Sequence, residues 1–187
     1  MDWKVEPLST QNMEDLFALF EENHYDHQKE WKSCYCRFYH SKCSMHEWMN
    51  KTAESNKKEA IEAINQQKMH GFLAYDDKRC IGWLNAGTIL NYPRLHENIT
   101  QTYLNAQVAV TICYVVSDDY RGKKVSSSLL DYAIATFKNT QFTTMLALPN
   151  DHTITEKNYR GFKQMYLNRG YKEEKITSDL SYLILKF

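Results

Sequence analysis

The segment Val108–Val116, V-A-V-T-I-C-Y-V-V, is apolar on both faces, and S-D-D-Y-R-G-K-K-V-S-S-S follows it directly. Alternation puts Val108, Val110, Ile112 and Tyr114 on one face and Ala109, Cys113 and Val115 on the other. A strand apolar on both faces belongs inside a sheet covered by helices. Val125, Leu129, Ala133 and Phe137 then recur at helical spacing. Between strand and helix lies a basic, glycine-containing turn. The free N–H groups of a helix's first turn, reinforced by the macrodipole, form an anion site. The segment therefore predicts a diphosphate cradle built from Arg121, Gly122, Lys123, Lys124, Val125, Ser126 and Ser127. A plain basic helix start on a surface has the same short pattern.

The rest of the chain supplies elements for one mixed sheet. Residues 3–7 read as a strand. Met13, Leu16, Phe17 and Phe20 mark a helix ending near Glu22, with Thr10 or Asn12 as its cap. Residues 54–67 read as a solvated helix with one apolar stripe. Residues 71–75 and 80–86 form a hairpin, and 144–148 a short buried strand. Residues 159–168 read as a helix stopped by Gly170, with Phe162, Met165 and Tyr166 as its buried stripe. Residues 181–187 close the chain as a strand. The long irregular stretch 87–105 is of the kind that is often functional. The order β-α-α-β-β-β-α-β-α-β-β predicts an α/β fold with a mixed sheet.

At 187 residues the chain suits one domain, residues 1–187. Lys plus Arg and Asp plus Glu balance at 23 each, so neither nucleic acid nor an anionic membrane is an expected partner. No run approaches a membrane span, and no apolar stretch follows the N-terminal charges as in a signal peptide. A cytoplasmic location is expected. Five cysteines, an odd number, exclude a complete disulfide framework.

Downstream, Y-R-G-F-K-Q-M-Y-L-N-R-G-Y places Tyr166 four residues before Gly170. With the strand–turn–helix segment, this resembles the GCN5-related N-acetyltransferase (GNAT) family, which moves an acetyl group from acetyl-coenzyme A to an amine. The family pattern in the turn is Gln or Arg, two residues, Gly, one residue, Gly or Ala. Here Arg121 fits the first position, Lys124 stands where the Gly is expected, and Ser126 replaces the small residue. Cys34-Tyr35-Cys36, Gly82-Trp83 and Tyr159-x-Gly161 resemble a branch of the family with a Cys-x-Cys segment. The resemblance implies a single-domain fold with a mixed, mostly antiparallel central sheet flanked by helices, and acetyl-CoA as cosubstrate. It implies that Tyr166 acts as general acid toward the departing thiolate. Tyr114, Val115 and Val116 would offer backbone groups to the pantetheine arm, one N–H polarising the thioester. Asn158 would contact the cofactor, although its spacing to the Tyr differs by one residue from the family's. The partner would be a small-molecule or peptide amine, and the chain a monomer or homodimer. A non-catalytic acyl-CoA sensor of the same fold is the alternative.

No general base stands out. Glu21, Glu22, His24 and His152 are available, and each is also an ordinary surface residue. The amine is expected to enter beside residues 24–39 and the 87–105 stretch. Cys34-x-Cys36 with His40 and Cys43 could be a zinc cluster, but its spacing is tight and no second pair follows. Free thiols among Trp31, Tyr35, Phe38 and Tyr39 are the competing reading, and no metal is expected. Cys113 reads as a buried small hydrophobe rather than an acyl-accepting nucleophile.

Overall fold

The computed structural model describes residues 3–23, 29–149, 158–175 and 181–187. Its sheet contains β1 (Lys4–Pro7), β2 (Gly71–Asp76), β3 (Arg79–Thr88), β4 (Val108–Val116), β5 (Thr144–Ala147), β6 (Lys172–Lys175) and β7 (Ser181–Lys186). The spatial order is β1-β2-β3-β4-β5-β7-β6, antiparallel throughout except at β4–β5. The helices are α1 (Met13–Glu22), α2 (Met45–Met49), α3 (Ala53–Asn65), α4 (Val125–Lys138) and α5 (Lys163–Leu167).

The helices cover both faces, as the doubly apolar β4 requires. Leu129, Ala133 and Phe137 of α4 pack on Phe72 and Ala74 of β2. Leu16, Phe17 and Phe20 of α1 meet Ala60 and Ile64 of α3, above Leu73 and Trp83 on the opposite face. Glycine permits the close seat of α4 on β3: a Cβ on Gly82 would stand 2.5 Å from Val125 Cγ1. That contact fixes the N-terminus of α4 beside the end of β4.

Several expectations change. In β4, Cys113 pairs with Asn85 but Thr111 with Ala86, so Ile112 is an extra residue. A bulge of this kind reverses the alternation. Tyr114 therefore packs with Ala109 on the α4 face, not with Val108, Val110 and Ile112 as simple alternation predicts. The expected helix over 159–168 shrinks to α5. Gly161 at φ +79° and Phe162 in extended backbone prevent an earlier start, and Phe162 is half exposed rather than part of a buried stripe. Gly170 at φ +84° follows the helix. Neither proposed cap serves α1 with its side chain: Asn12 Oδ1 instead accepts from the Ser9 N–H at 2.7 Å. Residues 87–105 form three short 3-10 turns, Ile89–Asn91, Pro93–Asn98 and Gln101–Tyr103.

Candidate active site

β4 and β5 pair only from Val108 to Thr111, so β4 runs on to Val116 with its β5 side open. The Ser117 N–H donates to Ile81 O at 2.9 Å, and Val115 pairs with Trp83. Antiparallel alternation then turns the peptide groups of Val115 toward β3 and those of Tyr114 and Val116 toward the opening. Only the latter two are suited to the backbone role predicted for all three. The Tyr114 N–H is occupied: it donates to Tyr159 O at 2.6 Å. The segment entering α5 thus bridges the mouth of the splay. Beside it lies a cleft of ≈ 1050 Å³, walled by Tyr114–Val116, the turn before α4, Asn158 and Tyr159, and the aromatic–cysteine segment.

The turn has the shape of a cradle. Arg121, Gly122, Lys124, Val125, Ser126 and Ser127 line the cleft. Lys123 does not; its carbonyl accepts from Trp3 Nε1 at 3.2 Å, and its ammonium lies 4.7 Å over the Tyr120 ring. Gly122 has φ +75°, and a Cβ there would meet nothing within 4 Å. Lys124 has φ +63°, ψ 19°, the left-handed conformation that favours glycine. The residue in the glycine position thus keeps a glycine's backbone while adding an exposed cation to the rim. Arg121 pairs with Asp118 at 2.7 Å.

Asn158 lines the cleft, and neither its Nδ2 nor its Oδ1 has a hydrogen-bond partner among the described residues. Two further asparagines, Asn23 and Asn56, were not anticipated. Both line the cleft, and each has one unpartnered amide atom. No motif marks them; only tertiary structure brings them together.

Tyr166 is fully buried behind the wall rather than on it. Its hydroxyl is 2.8 Å from Arg160 O, 3.2 Å from Tyr114 Oη and 3.3 Å from Thr111 Oγ1. One phenol proton cannot serve all three. The carbonyl only accepts, so it takes the proton, and the two hydroxyls are left to donate to the Tyr166 oxygen. Burial pushes the Tyr166 phenol up to about 12, against the opposing hydrogen bonds of Thr111 and Tyr114. Burial also raises Tyr114, as does the neighbouring Tyr166. Both are neutral phenols at pH 7, and Tyr114 is the one at the cleft.

Cys34, Cys36, Trp31, Phe38 and Tyr39 line the same cleft, whereas Tyr35 packs in the core against Phe17 and Phe20. Burial pushes the Cys34 thiol to about 12 and Cys36 well above its usual range. Cys36 Sγ accepts from the buried Trp83 indole at 3.2 Å, joining the Cys-x-Cys segment to the Gly-Trp strand. His40 is turned inward: its Nε2 is 3.2 Å from Asn85 Nδ2, and burial holds its pKa down at about 3. No cluster of three or more metal-binding side chains occurs among the described residues. The 87–105 stretch does not line the cleft; Arg94 braces the aromatic segment from behind, donating to Phe38 O at 2.7 Å. Glu21 is exposed, bonded to Lys57 and Tyr35, and its carboxyl lies below its usual range because of Lys57. Glu22 is exposed and does not line the cleft. His24 and His152 lie outside the described residues.

The Acetyltransferase (GNAT) family model matches residues 13–162, most of the chain. The protein belongs to the GNAT family. Among solved structures, the chain resembles the PaiA N-acetyltransferase of Thermoplasma acidophilum, in complex with coenzyme A. The TM-score is 0.56 at 17% identity, with both chains fully covered. The GNAT domain of S. lividans PAT gives 0.56 at 16%, over 99% of this chain and 90% of that one. An N-acetyltransferase from Staphylococcus aureus gives 0.57 at 11%, over 100% and 99%. At these identities the likeness is one of fold. No curated protein matches the sequence. Family and fold together support acyltransferase activity in general terms. No helix among the described residues is long and apolar enough to cross a membrane.

Proposed function

We propose that this GNAT chain works as a single domain that transfers an acetyl group from acetyl-CoA to an amine by direct attack. One observation carries the reading. The turn Arg121–Ser127 opens onto the cleft with a left-handed residue at the glycine position of the family pattern. Its first-turn N–H groups suit a diphosphate, with Arg121 and Lys124 as flanking cations. The unpartnered amide of Asn158 suits a ligand bearing both donors and acceptors, as pantetheine does.

In the transfer, a C–N bond forms, the C–S bond breaks and the electron pair stays on sulfur. A phenol near 12 protonates a thiolate of pKa about 8.5 only uphill. The Tyr114–Tyr166 pair therefore works through Tyr114, whose hydroxyl turns from the Tyr166 oxygen to donate a hydrogen bond to the departing sulfur, and the sulfur's proton comes in balance from the attacking nitrogen.

Calorimetric titration with acetyl-CoA, using pantetheine as control, tests the cradle. Binding in the micromolar range that needs the diphosphate supports it. No binding at millimolar acetyl-CoA removes the reading, and binding without turnover of any amine leaves an acyl-CoA sensor.

A further inference from the structure

The cleft has a second, aromatic part with its own chemistry. Trp31, Phe38 and Trp48 wall it, with Trp48 edge-on to Phe38 at 5.2 Å between centroids. Met45 and Met49 form its rim and are 54% and 79% exposed. Exposed methionines on a short helix give an adaptable apolar lip. The helix itself is anchored by a capping box between Ser44 and Glu47.

A polar group beside the Trp31–Ser33 turn is unmet. Asn56 is 2% exposed and lines the cleft. Its Nδ2 donates to Ser33 O at 3.0 Å, which fixes the amide orientation and leaves Oδ1 as the atom without a partner. A buried amide oxygen lacking a donor calls for one from a ligand. Charge in the chamber is already matched. Lys51 is paired with Glu59, and no carboxylate lines the cleft among the described residues.

Resting on the acetyltransferase reading, we propose that this chamber is the acceptor subsite, that it takes a primary amine on an aromatic or bulky apolar body, and that Asn56 Oδ1 positions the amine by accepting one N–H. A polycation finds no anionic partner among these residues. Apolar walls disfavour an ammonium, so the amine binds as the free base, its proton left in bulk solvent. Asn56 then holds an N–H while the nitrogen lone pair remains free to attack. This accounts for a site whose described residues supply no carboxylate or free histidine as base.

The test uses the whole protein with saturating acetyl-CoA. Acetylated product is quantified by chromatography for 2-phenylethylamine and for spermidine. The expected result is a kcat/KM at least about tenfold higher for 2-phenylethylamine. Asn56→Ala raises its KM about tenfold and leaves kcat and acetyl-CoA affinity nearly unchanged, the loss of one hydrogen bond. Should that variant not fold, Trp48→Ala, on the partly exposed rim, carries the same test by lowering the preference toward parity. Preference for spermidine overturns the proposal, as does an Asn56→Ala loss confined to kcat. Acetyl-CoA binding with no turnover of 2-phenylethylamine also overturns it. A separate titration follows quenching of Trp31 and Trp48 by 2-phenylethylamine with coenzyme A present. Saturable quenching in a protein that fails to bind acetyl-CoA would remove the transferase reading and leave the subsite standing.

Discussion

The hydroxyl of Tyr166 lies 3.2 Å from that of Tyr114, and of the two residues Tyr114 is the one that lines the cleft. If the pair acts as a unit on the departing sulfur, the effects of removing each hydroxyl will not multiply. Tyr166→Phe and Tyr114→Phe should each lower kcat by about tenfold to a hundredfold with acetyl-CoA affinity retained. The double variant should fall little below the worse single one. Steady-state kinetics on the three variants checks this, and multiplied losses would mean that the phenols act independently.

Lys124 should prove costly to the fold. A left-handed non-glycine residue carries a penalty of about 1–2 kcal/mol, part of which glycine returns through its looser unfolded state. Lys124→Gly is expected to stabilise the protein by about 0.5–1 kcal/mol, raising Tm by a few degrees. Lys124→Ala keeps the strain and loses only the charge. If the exposed ammonium assists diphosphate binding, both variants bind acetyl-CoA more weakly, and the difference shrinks as salt rises. Thermal melts and calorimetry at two ionic strengths separate backbone from charge.

The chain announced much of this architecture. The apolar run Val108–Val116 and the stripe Val125–Leu129–Ala133–Phe137 gave β4 and α4 directly, and with them the location of the turn. Tyr114 was misplaced because period-two reasoning has no means of seeing an inserted residue, and the bulge at Ile112 is set by pairing with β3. The expected helix over 159–168 is longer than α5 because it runs through Gly161, whose positive φ breaks it. Helix α2 went unread although Ser44-Met45-His46-Glu47 is a capping-box pattern. Asn23 and Asn56 carry no local signature. Their significance lies in unmet hydrogen bonds, which belong to tertiary structure alone.

His40 makes a prediction about acid. Its folded pKa is held down near 3 by burial, against about 6.5 in the unfolded chain. A depressed value means stability that is full above pH 6.5 and lost as pH falls toward 3. While only the unfolded state binds the proton, the slope from this one group is about 1.4 kcal/mol per pH unit. His40→Asn, which cannot titrate, should be less stable at pH 7 but should lose less on going to pH 5. Denaturant midpoints at the two pH values make the comparison, and parallel losses would show that His40 is not the acid-sensitive group.

Gly161 links the fold to the site. Its φ is +79°, and a Cβ there would stand 2.7 Å from Met165 Cε and 3.2 Å from both Cε2 and Oη of Tyr166. The methionine end can swing away, but Met165 lines the cleft, so it would move into ligand space. The Tyr166 hydroxyl cannot yield without giving up Arg160 O, Thr111 or Tyr114. Gly161→Ala should therefore cost about 1–3 kcal/mol, combining backbone strain with a disturbed buried hydrogen bond. It should also lower turnover more than a substitution that carries backbone strain alone. Gly170→Ala supplies that reference: its φ is +84°, yet an added Cβ meets only Leu185 Cδ1 at 3.9 Å. A lower kcat for Gly161→Ala, measured well below both melting temperatures, would tie Gly161 to the tyrosine pair. Equal kcat would mean that the Tyr166 hydroxyl tolerates displacement and lies outside the chemistry.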